Sequence, residues 1–134
     1  DFTKIIHQFV ESNKENADLK EFVEPLAALN KEWGDLTMQI GMRAMQSPDE
    51  VGAAAVDYLY FSGYVTLAYL WARMALVAQQ QIAAGSTEVD FYNAKILTAR
   101  FYFKKILPRV RSHVDVIAGG LEPLMALDPE HFAF

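Results

Sequence analysis

With 134 residues the chain is long enough for one domain and short for two, so a single core is expected. Apolar residues make up 52% of it, with nine Phe, six Tyr and two Trp, which excludes disorder and asks where so much apolar surface is buried. A net charge of −5 argues against a nucleic-acid partner, and the absence of cysteine excludes disulfides, thiol catalysis and Cys-zinc sites while fitting a reducing cytoplasm.

No stretch alternates apolar and polar residues with a period of two, and Gly and Pro cluster at a few breaks, so the whole chain reads as all-α. A short first helix is predicted from Phe2 to Ser12, with Ile5, Ile6, Phe9 and Val10 on one face, ending in the polar stretch Asn13-Lys14-Glu15-Asn16. A second runs from about Asp18 to Gln46, where Leu19, Phe22, Leu26, Leu29, Trp33, Leu36 and Ile40 recur at spacings of three and four; Pro25 either kinks it or marks its start. Ser47-Pro48-Asp49-Glu50 combines a capping serine, a first-turn proline and a glutamate three residues on, and opens a third helix that continues to about Ala84 and breaks at Gly85-Ser86-Thr87. The fourth is predicted from about Val89 to Ala118, losing one backbone hydrogen bond at Pro108 and stopped by Gly119-Gly120. Leu121 to Phe134 reads as a short helix and an apolar tail. Short loops between long helices imply an antiparallel up-down four-helix bundle.

Between Asp57 and Arg73 lies an uncharged run of fifteen residues, below the roughly 20 needed to cross a bilayer, so a central helix enclosed by its neighbours is expected and no membrane span. A di-iron bundle needs two Glu-x-x-His pairs; His7 with Glu11, and Asp128-Pro129-Glu130-His131, do not supply them, so no metal site is expected. His113 has no identifiable nucleophile beside it.

Six of the twelve basic residues, Lys95, Arg100, Lys104, Lys105, Arg109 and Arg111, fall in a segment without acids, whereas the first fifty residues carry ten of the seventeen acids. The basic helix either packs beside the acidic half or meets an anionic partner, such as the phosphates of a ligand or the acidic surface of a second subunit. Folding the helices about Ser47 and Ser86 brings Arg73 and Arg100 level with Glu21 and Glu24, so at least one arginine–glutamate pair is predicted, with Asp57 near His113 or Arg109. Ala27, Gly34 and Gly41 lie seven apart on the second helix; interior glycines cost about 1 kcal/mol each against alanine, which calls for close approach of another helix or a second copy. The apolar end Phe132-Ala133-Phe134 supports the same expectation of a homo-oligomer.

Three blocks together carry a resemblance. The first runs from Asp57-Tyr58-Leu59 to Trp71-Ala72-Arg73-Met74-Ala75. The second joins Phe91-Tyr92 with Ala94-Lys95 and Thr98-Ala99-Arg100-Phe101, and the third Ile117-Ala118-Gly119 with Leu124-Met125-Ala126-Leu127-Asp128 and Phe132. In this order and spacing the chain resembles the C-terminal helical domain of acyl-CoA dehydrogenases that carry such an extra domain, the group including 3-methylmercaptopropionyl-CoA dehydrogenase. The resemblance implies a parent enzyme that uses FAD to remove hydrogens from the α and β carbons of an acyl-CoA, with a glutamate as base. In that family the flavin site and the glutamate lie in upstream domains, so none maps here; no catalytic, cofactor or metal residue is assigned, and residues 1–134 are expected to be a non-catalytic fragment that packs on the catalytic body and helps to join subunits. The alternative is an independent helical module for a protein partner or a small apolar ligand. An exposed apolar patch would favour the fragment.

Overall fold

A computed structural model of the chain describes residues 1–119, and among these all regular structure is helical, without a strand. The predicted short helix after Leu121, with Phe132 and Phe134, lies outside the described residues. The first helix, α1, spans Phe2–Asn13; Asp1 caps it by accepting from the Thr3 amide at 3.1 Å. Asn16 then caps a 3-10 turn, Ala17–Leu19, that feeds directly into α2, Lys20–Gln46. That early start leaves Pro25 inside α2 rather than at its beginning. The missing amide costs one intrahelical bond, on an exposed face where water can serve the freed carbonyl.

Helix α3 spans Asp49–Ala83 and ends on Gly85, whose φ of +85° is a conformation that side chains disfavour. Two reversed bonds close the end: Ser86 donates to the Gln81 carbonyl at 3.0 Å and Gly85 to that of Ile82 at 3.1 Å. The predicted fourth helix is divided. Helix α4, Val89–Phe101, passes into a π-helical turn over Tyr102–Ile106, a 3-10 turn over Leu107–Arg109, and then α5, Val110–Gly119. Proline removes one donor and its ring crowds the carbonyl four residues back, so a widened turn before Pro108 lets the chain continue in one direction.

The helices meet in a consistent sense. Along α2 and α3 the partners' numbers move oppositely: Asp18 accepts from Gln79, whereas Trp33 and Thr37 both meet the Tyr58 hydroxyl. Between α2 and the α4–α5 run they rise together, from Glu21 with Arg100 to Glu32 with Arg111. Helix α1 lies on α2, through Phe2 against Trp33 and the Thr3 carbonyl accepting from Asn30. Enclosed by these elements are Ile6, Leu19, Phe22, Leu26, Phe61, Val65 and Ile117, all fully buried. Ala68, Ala72 and Ala75 on α3 and Ala99 on α4 are also fully buried; with no side chain beyond Cβ they let neighbouring backbones approach closely.

The expectation that α3 is enclosed on all sides is corrected by its outer face. Val56, Leu59, Leu67, Leu70, Met74 and Val77 are exposed, Leu59 by 70% and Leu70 by 43%. At 100° per residue these positions share one side, opposite buried Phe61, Val65, Ala68 and Ala72. Helices α2 and α4–α5 flank α3, and nothing among the described residues covers this side. By length and composition alone α3 is long and apolar enough to cross a membrane, and 39% of its most apolar window is buried.

Candidate functional site

Two ion pairs tie the basic run to the acidic one. Arg100 Nε donates to Glu21 Oε1 at 2.7 Å and its Nη2 to Oε2 at 3.1 Å, a two-pronged arrangement that fits the planar guanidinium. Arg111 also grips Glu32 with two prongs, about three helical turns further along both helices. In each case the hydrogen bond to the carboxylate is the first cause that raises the arginine above its usual pKa. Arg73 takes another course: it lies over the Tyr69 ring, 5.8 Å from the centroid, with Nη1 3.4 Å from the Tyr69 hydroxyl, and meets no carboxylate among the described residues. Glu24 sits 3.6 Å from Lys20 on its own helix rather than reaching either arginine.

Asp57 of α3 and His113 of α5 form the one acid–imidazole contact among the described residues, Oδ1 to Nδ1 at 2.9 Å, with both side chains about four-fifths buried. Tyr60 stacks on the imidazole, ring centroids 5.0 Å apart and 9° from parallel, and Tyr64 tilts against it at 5.8 Å. A carboxylate can orient a histidine for proton transfer. The contact joins α3 to α5, and among the described residues no serine or threonine hydroxyl is hydrogen-bonded to His113. Below it, buried Tyr102 donates to the Tyr64 carbonyl at 2.7 Å and pins the π-turn to α3.

The small-residue line on α2 divides. Ala27 is half-buried in a groove shared with Val10 of α1, so its size suits a helix passing close by. Gly34 and Gly41 are exposed, and a Cβ at either would meet nothing within 4 Å. Phe132 and Phe134 lie outside the described residues.

Two apolar grooves border the open face of α3. One, of about 550 Å³, lies between α3 and α4 and is lined by Leu70, Met74, Val77 and Phe91, with the cations Arg73 and Lys95 at its rim. The other, of about 600 Å³, lies between α2 and α3 and includes Ile40, Gly41, Val51 and Leu59. Sequence reasoning missed this face. The signal was present in a helix apolar all round yet flanked by only two long partners. Neither groove fits a flavin: the walls offer few hydrogen-bond donors, and no glycine-rich loop opens α2, α3 or α4 to receive a pyrophosphate. No group of three His, Asp or Glu among the described residues suits a metal ion.

Residues 2–128 match the family described as "Acetyl-CoA dehydrogenase C-terminal like". The chain belongs to that family. It is also similar to the broad-specificity linear acyl-CoA dehydrogenase FadE5 of Mycobacterium tuberculosis, 34% identical over 135 residues. That alignment covers 95% of this chain and 22% of the relative. The family chain therefore spans under a quarter of the length of the curated protein it matches.

Proposed function

We propose that this chain is the accessory C-terminal domain of an FAD-dependent acyl-CoA dehydrogenase, a non-catalytic antiparallel up-down helical bundle that packs on the catalytic body and helps to join subunits in the cytoplasm. The match over nearly the whole chain to a C-terminal family, together with the 34% identity to FadE5, carries this reading. FAD and the acyl-CoA are assigned to the rest of the polypeptide, a reading supported by Arg100 and Arg111 being held in pairs between helices and by grooves whose walls are mainly apolar. The α3 face favours a part of a larger protein over a self-sufficient module, because monomers seldom leave so continuous an apolar strip in water. The same face is read as a protein-docking surface and not as a membrane span.

The test compares the full-length polypeptide with these 134 residues alone. The full protein is expected to be yellow and to reduce a dye acceptor when given acyl-CoA thioesters; the isolated chain is expected to be colourless and inert. A full-length protein without flavin or turnover, or an isolated chain with either, would overturn the assignment.

A further inference from the structure

The open face of α3 runs from Val56 to Val77, 21 residues apart, which at 1.5 Å per residue is about 32 Å or some six helical turns. About a third of the way along it, at Gly63, the side-chain ridge is interrupted; a Cβ there would meet nothing within 4 Å. The face carries no acid, and the cations beside it, Arg73 and Lys95, rest on aromatic rings without a carboxylate partner among the described residues. A long apolar strip with a notch and two cations at its edge has the form of a seat for another helix.

Resting on the reading that the chain is one part of a longer enzyme, we propose that this seat is filled by a helix from the remainder of the same polypeptide, apolar along its contacting ridge, with a side chain entering the notch at Gly63 and a carboxylate facing Arg73 and Lys95. Two observations select this occupant. The chain spans 22% of FadE5, so most of such a protein lies outside it and is available at high effective concentration. A second copy of α3 offers no carboxylate here: after Asp57, which is held by His113, the helix has no Asp or Glu. A bilayer is disfavoured by shape, since the strip occupies one side of a helix whose other sides are packed against protein.

The test places single cysteines at Leu59, Leu70 and Val77 in the full-length protein and follows maleimide labelling of each peptide by mass spectrometry, with the urea-unfolded protein as reference. A covered face labels about a hundredfold more slowly than the unfolded chain, and an open one within a few-fold of it. Protection that does not change with protein concentration and needs no lipid supports the proposal. Fast labelling at all three positions overturns it; so does protection that appears only on concentrating the protein, which marks a second copy, or only with phospholipid vesicles, which marks a membrane. Gly63→Phe fills the notch from a position where an added Cβ meets nothing within 4 Å, and is expected to restore labelling at Leu70→Cys; unchanged protection there would remove the notch from the proposal. Flavin absorbance and acyl-CoA-dependent dye reduction on the same samples keep the two readings apart. Active yellow protein with a fast-labelling face rejects the docking and leaves the enzyme assignment, whereas protected protein without flavin does the reverse.

Discussion

At the level of single residues, one exposed and one buried contact illustrate how exposure decides the value of an interaction. Arg100 and Glu21 are 44% and 38% exposed, so water screens their attraction, and exposed pairs of this kind contribute about 0.2–1 kcal/mol. Glu21→Gln should therefore lower thermal stability only slightly, and a double-mutant cycle with Arg100→Gln should give a coupling below about 1 kcal/mol that shrinks in salt. Tyr102 is the opposite case. Burial first, and the neighbouring Tyr64 second, push its hydroxyl above the ordinary value of 10.0. Because the folded protein holds this proton after the unfolded chain has released it, the contribution to stability is complete below about pH 10 and is lost as pH rises through the higher folded value. Tyr102→Phe should flatten that alkaline decline while costing about 1 kcal/mol at neutral pH, from the lost bond to the Tyr64 carbonyl. Denaturation midpoints between pH 7 and 11 would check both effects.

At the level of elements, some features were legible in the sequence and others were not. Local chemistry signalled the end of α3, because glycine after a long apolar run permits the left-handed turn that Gly85 adopts. Pro108 announced a disturbance but not its form. Whether a chain answers a proline with a kink or with a π-turn depends on what anchors the flanks, and here the anchor is Tyr102 on a distant helix. The two α2 glycines were legible as an anomaly, and their surroundings sharpen it: space for a Cβ at Gly34 and Gly41 means that nothing among the described residues of this chain explains them. Alanine at either should stabilise the isolated chain by about 0.5–1 kcal/mol, through helix propensity alone. Gly85→Ala should destabilise it by about 1 kcal/mol. Urea midpoints on the three variants would test the contrast, and a loss of stability at Gly34 or Gly41 would contradict the open surroundings seen here.

At the level of the molecule, the apolar face of α3 was hidden from sequence reading because periodicity reports which side of a helix is apolar, not what covers it. An all-round apolar helix reads alike whether four neighbours enclose it or two flank it and a third comes from elsewhere. The described residues supply α2 and α4–α5 as flanks and leave Leu59, Leu67, Leu70 and Val77 in water. Burying each such side chain is worth on the order of 1.5–3 kcal/mol when complete, so an isolated chain can gain by placing two of these strips together even though neither evolved for the other. Two-fold pairs are the commonest outcome of such contacts. Expressed alone, the chain is therefore expected to sediment as a dimer or larger species whose proportion grows with concentration, with Gly34 and Gly41 available to a second seam on α2. Replacing Leu59 and Leu70 by glutamate should shift it to monomer, because a charge buried in such a contact costs more than the remaining apolar area returns. The helical content of the double variant should remain, since both positions lie away from the core at Phe61, Val65 and Ala72. Sedimentation showing only monomer for the unmodified chain at high concentration would mean that another surface, and not association, accounts for this face.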